Sequence, residues 1–149
     1  MKERALEWNY EIEGRDFRNA GTVSSKIKEI LKELGFDPDF VRGVAVASYE
    51  AEMNVVCHAD KGTLHFTILP EALRIVVEDT GPGIPDIDLA MQEGYSTAPL
   101  EIREMGFGAG MGLPNMKKNT DELNIYSTVG KGTVVEMVMR SPLAGEGSG

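Results

Sequence analysis

The chain has 149 residues, of which 42% are hydrophobic and 26% charged, and it carries a formal net charge of −9. That length supports one domain with a sizeable core. The acidic balance excludes a general nucleic-acid binder, which needs a basic face, and argues against adhesion to an anionic membrane.

Met1-Lys2-Glu3-Arg4 opens no apolar stretch of the signal-peptide kind, and no later run approaches the roughly 20 apolar residues of a membrane span. With Cys57 as the only cysteine, no internal disulfide can form, and a cytoplasmic location is expected. Leu6, Trp8, Tyr10 and Ile12 alternate with Glu7, Asn9, Glu11 and Glu13, which predicts a half-buried strand ended by Gly14. Phe17, Ala20, Val23, Ile27, Ile30, Leu31 and Leu34 follow helical spacing, with Asp16 as the expected N-cap and Gly35 just past the end. Asp37-Pro38 restarts a helix, aspartate at the cap and proline in the first turn, and this helix runs to about His58. Leu64, Phe66 and Ile68, then Leu73, Ile75 and Val77, alternate on either side of Pro70-Glu71, which predicts a hairpin. Residues 80–109 are rich in Gly and Pro and hold no period, and so long a connection is usually functional or mobile. A short helix from about Met111 to Asp121 and two strands, about 122–128 and 132–140, complete a domain over residues 1–140. Residues 141–149 are small and polar, and are expected to be disordered. The order β-α-α-β-β-loop-α-β-β predicts an α/β (α+β) two-layer sandwich, a mostly antiparallel mixed sheet with helices on one face.

Four short motifs carry the chemistry. Glu50 and Asn54 are four apart on a helix that is apolar almost all round, so they share one face and need partners, a cleft or a solvated edge. An asparagine carbonyl suits a hard cation shared with phosphates, and a glutamate one turn away can accept a proton from a nucleophile. Asp79 begins Asp-Thr-Gly-Pro-Gly at a strand end. A tight turn explains part of this; an aspartate that accepts from the exocyclic amine of adenine, with Gly81 and Gly83 admitting a flat ligand, explains the rest. Gly108-Ala109-Gly110-Met111-Gly112-Leu113 runs into a helix, where free amides bind phosphate. No Lys-Ser or Lys-Thr closes it, so it is not a Walker loop. Gly130-Lys131-Gly132-Thr133 reads as a hairpin turn whose threonine lies near Asp79 and supports the adenine contact. His58 and His65 lack ligand spacing with Cys57 or with each other, so a zinc site is not expected.

With these four motifs in this order, the chain resembles the GHKL ATPase superfamily over about residues 5–140, and within it the anti-sigma factor serine/threonine kinases of bacterial regulatory switches. Glu50 and Asn54 match its N-box, Asp79, Gly81 and Gly83 its adenine box, Gly110, Gly112 and Leu113 its second glycine box, and Thr133 its last threonine. The resemblance implies ATP and Mg2+ bound between the sheet and a flexible lid at about 85–108, with Gly108 and Met111 flanking the phosphates and Asn54 on the metal. It implies Glu50 as general base, Arg103 in the lid facing the γ-phosphate, and transfer to a serine or threonine of a small anti-sigma-antagonist protein. A sigma factor is a further expected partner, and a homodimer is compatible. Two other readings remain open at this stage: a nucleotide-sensing anti-sigma module without phosphotransfer, and a histidine-kinase-like ATPase subunit. The aromatic box of histidine kinases is absent, which weighs against the latter.

Overall fold

A computed structural model describes residues 5–92 and 112–140. The expected N-terminal strand is β1, Leu6–Glu13. After a single 3-10 turn at Phe17–Asn19 come α1, Thr22–Glu33, and α2, Pro38–His58. The hairpin is β2, Lys61–Ile68, and β3, Ala72–Thr80. A four-residue helix α3, Ile87–Ala90, follows, then α4, Gly112–Lys118, and finally β4, Glu122–Thr128, and β5, Gly132–Arg140.

The strands form one sheet in the order β1-β2-β3-β5-β4. Among the described residues all four pairings are antiparallel, which bears out the mostly antiparallel sheet expected, with no parallel pair in it. Two hairpins account for β2–β3 and β4–β5. Between β1 and β2 the chain crosses the sheet face along α1 and returns along α2, re-entering beside the end it left: Gly14 N–H bonds Asp60 O at 2.9 Å and Arg15 N–H bonds Val56 O at 2.7 Å. An antiparallel neighbour follows from that return.

Period-2 alternation sorts the sheet into two faces. Leu64, Phe66, Leu73, Ile75, Val77, Val135 and Met137 point to the covered face and are buried. Ile27 and Leu31 of α1, Val44, Ala47, Ala51 and Val55 of α2, and Met116 of α4 close over them. Trp8 extends the layer by stacking on Phe66, ring centroids 5.3 Å apart. The other face is polar and is crossed by the Arg74–Glu136 ion pair at 2.7 Å.

Both ends of α1 and the start of α2 show what decides a helix boundary. At Asp37 the carboxylate accepts from the amides of Asp39 and Phe40 at 3.0 and 3.2 Å, the cap the sequence predicts. Gly35 lies past the end of α1, its amide on Lys32 O at 3.1 Å. The start of α1 differs from expectation. Asp16 does not cap it; its carboxylate takes the Asn19 amide at 2.8 Å inside the 3-10 turn. The chain turns at Gly21, and the helix is capped from α2: Glu52 Oε2 accepts from Gly21 and Val23 N–H at 3.0 and 3.2 Å, and Oε1 from Ser24 N–H at 3.0 Å. Glu52 is 2% exposed. A carboxylate is tolerated there because it meets three amides at the positive end of a helix.

Candidate active site

The long helix α2 sets the axis of the site. Ala51, Asn54 and His58 recur at intervals of three and four residues and line one wall of a pocket of about 140 Å³. Val77 of β3 and Val135 of β5 form an apolar side, with Asp79 and Thr133 beside them. Residues 82–86, which follow β3, make the opposite lip. The shape is a slot with apolar walls and one carboxylate.

Asp79 and Thr133 are partners across the β3–β5 ladder, as the sequence reading anticipated. Thr133 N–H donates to Asp79 Oδ1 at 3.1 Å, and the Thr133 hydroxyl meets Ser127 Oγ at 2.8 Å. Among the described residues nothing takes the second oxygen of Asp79. Burial pushes the Asp79 carboxyl up from its ordinary value, and the Thr133 amide partly counters this. A half-buried acceptor with a free oxygen in an apolar slot calls for a flat ligand bearing an N–H donor.

The glycines after Asp79 are demanded first by the protein itself. Gly83 has φ +80°, and a Cβ there would lie 2.5 Å from Thr128 O. At Gly81 a Cβ would approach within 3.0 Å of the Ala59 backbone. The segment is pinned to the β4–β5 turn by Gly81 N–H on Lys131 O at 3.2 Å, Gly130 N–H on Pro82 O at 2.8 Å and Ile84 N–H on Ser127 Oγ at 2.7 Å. Gly130-Lys131 is thus a hairpin turn and also the mount for the pocket lip.

At the other end of the pocket wall, Glu50 and Asn54 share one face of α2 and look onto the first residue of α4. A Cβ on Gly112 would stand 3.4 Å from Glu50 Oε1 and 3.7 Å from Asn54 Oδ1. The Asn115 amide, one turn into α4, donates to Glu50 Oε2 at 3.1 Å. Leu113 points into the core, 6% exposed, so any ligand contact there falls to its backbone. From Glu50 to His58, eight residues of helix rise about 12 Å. Asp79 lies toward the His58 end, because its β2 partner Gly62 packs on Val55 and its neighbour Gly81 packs on Ala59. The site therefore has a carboxylate end at Asp79 and an acid–amide end at Glu50 and Asn54, laid out along one helix. Arg103, Gly108, Gly110 and Met111 lie outside the described residues, as does most of the expected 85–108 lid.

Four residues here escaped the sequence reading. His58 lines the pocket, and its pKa is lowered by burial and then by the Arg15 cation, which favours the neutral ring. Its spacing of four from Asn54 was the available signal. Ser127, Asn115 and Glu52 act through partners 43, 65 and about 30 residues away, and no local pattern marks them.

This arrangement, a helix-covered antiparallel sheet with an acidic slot beside a glycine-led helix, defines a kinase-like ATPase, and residues 15–139 match the histidine kinase-like ATPase domain. The chain belongs to that family. More particularly, it is similar to the serine/threonine-protein kinase RsbT of Bacillus subtilis (strain 168), 33% identical over 115 residues that make up 74% of this chain and 80% of that protein. It is also similar to the anti-sigma F factor of Thermoanaerobacter sp. (strain X514), 36% identical over 118 residues, 79% and 75% of the two chains. A third relative, the anti-sigma F factor of Caldanaerobacter subterraneus subsp. tengcongensis, is 37% identical over 102 residues, 65% and 68% of the two chains. The resemblance to the anti-sigma factor serine/threonine kinases is borne out, and with it a regulatory kinase built on an ATP-using domain. No helix among the described residues is long and apolar enough to cross a membrane.

Proposed function

We propose that this chain is a cytoplasmic switch kinase that binds ATP with Mg2+ along α2 and phosphorylates a serine or threonine of a small anti-sigma-antagonist protein, with a sigma factor as its other partner. The observation that carries the proposal is the pairing of Glu50 and Asn54 on one helix face against Gly112, with Asp79 at the far end of the same pocket wall. The donor set fits the ligands. Asp79 offers a free carboxylate oxygen for the adenine amine, which guanine lacks at that ring position. Asn54 offers one neutral oxygen, which suits a metal that takes its remaining ligands from phosphates and water. The metal, when bound, neutralises phosphate charge in the transition state.

Glu50 is the general base of this reading. The acceptor hydroxyl oxygen bonds the γ-phosphorus, the γ-phosphorus–oxygen bond to the β-phosphate breaks, ADP leaves, and the hydroxyl proton goes to Glu50. Gly81 and Gly83 fix the lip over the adenine, while Gly108, Gly110, Met111, Gly112 and Leu113 serve the phosphates through backbone amides. Lid function for residues 85–108 and a γ-phosphate role for Arg103 come from the family resemblance alone.

Glu50→Gln is the test. The amide keeps the shape and removes the proton acceptor, so ATP affinity changes little while transfer falls by about 10²–10⁴-fold. Asn54→Ala instead weakens Mg-ATP binding itself. Normal transfer by Glu50→Gln places the base elsewhere. Tight ATP binding with no phosphorylated product favours a nucleotide-sensing module.

A further inference from the structure

Glu50 has two carboxylate oxygens, and the structure treats them differently. Oε2 accepts from Asn115 Nδ2 at 3.1 Å; Oε1 lies beside Gly112, where a Cβ would stand 3.4 Å from it. A carboxylate only accepts, so the asparagine must present its nitrogen there. Asn115 is itself held: its backbone carbonyl accepts from Asn119 Nδ2 at 2.8 Å, and the next residue, Met116, is fully buried in the core. Pro114, also buried, fixes the turn of backbone before it.

We propose that Asn115 is a positioning residue for phosphoryl transfer: it holds one oxygen of Glu50 so that the other is presented to the acceptor hydroxyl beside Gly112. The inference rests on the reading of Glu50 as general base and goes beyond it, because it assigns a division of labour within the carboxylate and a residue that enforces it. A free glutamate has three rotatable bonds and spreads over many rotamers. One amide hydrogen bond from a different helix removes most of that freedom without occupying the reacting oxygen. It also couples the base to α4. Gly112 and Asn115 are one rigid turn apart, so any displacement of the start of α4 carries the base with it.

The effect to expect is one of alignment. Misplacing a reacting group by about 1 Å can cost about 10²-fold in rate, so Asn115→Ala should slow transfer by about 10- to 100-fold while Kd for Mg-ATP stays within about threefold. Asn115→Asp, of the same shape but negatively charged, should be slower still, because it repels the carboxylate it must hold.

The experiment is a double-mutant cycle on the full chain with Asn115→Ala, Glu50→Gln and the pair. Hydrolysis of ATP by water is followed as released phosphate, transfer to a purified antagonist-domain protein as labelled phosphoprotein, and Kd for Mg-ATP is measured in parallel. Thermal melting identifies any variant that fails to fold, and Asn115→Asp then supplies the single mutant. If Asn115 acts through Glu50, Asn115→Ala slows the unmodified chain but adds about nothing to Glu50→Gln. A purely structural residue would lower both rates by the same factor. An equal loss in both backgrounds, or normal transfer by Asn115→Ala while Glu50→Gln is slow, overturns the positioning role and leaves the base assignment standing. Normal transfer by Glu50→Gln, or none by the unmodified chain, overturns the base assignment and this proposal with it.

Discussion

Asp79, the proposed adenine acceptor, illustrates how a pocket residue works against the fold that carries it. Burial raises its carboxyl above the ordinary 3.8, and the Thr133 amide offsets only part of that. The native state therefore holds the proton more tightly than the unfolded chain does, and stability is lost as pH rises from about 4 through the native value. Asp79→Asn removes the ionisation and keeps an oxygen for the Thr133 amide. The nucleotide-free variant should then resist urea at least as well as the unmodified protein at pH 7, with the difference closing below about pH 4. Its affinity for ATP should fall about 10- to 100-fold, since the amide must turn its NH2 toward the adenine amine once its oxygen faces Thr133. A urea midpoint that drops at pH 7, or unchanged ATP affinity by calorimetry, would show that Asp79 is structural. His58 has the opposite sign: its lowered pKa contributes stability above the ordinary histidine range, and that stability fades as pH falls through the native value.

Among the elements, α1 depends on a residue outside itself. Glu52 takes three of its first amides, so Glu52→Ala leaves those donors buried and unpaired and should cost about 2–4 kcal/mol. Hydrogen exchange should show the loss in residues 21–24 first; equal protection factors in the variant would refute the cap. The same element shows what a sequence discloses. Strand alternation in Leu64-x-Phe66-x-Ile68, the Asp37-Pro38 cap and the Glu50–Asn54 spacing are local, and each was legible. The start of α1 was not, because its cap arrives from residue 52 and nothing in the run Glu50-Ala51-Glu52 says which glutamate faces the core and which the cleft. Gly81 and Gly83 were read as space for a ligand, and the folded sheet adds a second demand that no local pattern shows: a Cβ there would meet Ala59 or Thr128.

At the scale of the molecule, one sheet face carries the core and the site together, so binding and stability are linked. Mg-ATP at about 100 times Kd should add about 2.7 kcal/mol, or roughly 5–10 °C in Tm for a domain of this size. A folded sample whose Tm ignores millimolar Mg-ATP would contradict an ATP site. The all-antiparallel sheet was only partly foreseen, because antiparallel pairing of β1 with β2 depends on the path of two helices and not on either strand. The pocket wall has one further consequence. Asp79 and the lip after it are completed by Thr133, Ser127 and the turn at Gly130, which are among the last parts of the domain to be made. A chain emerging from the ribosome with Glu50, Asn54 and Asp79 already exposed has no complete Asp79 pocket until its final hairpin docks. With the proposed ATP site in that pocket, nucleotide cannot guide early folding, and a truncated translation product cannot capture ATP or compete with the finished kinase for it.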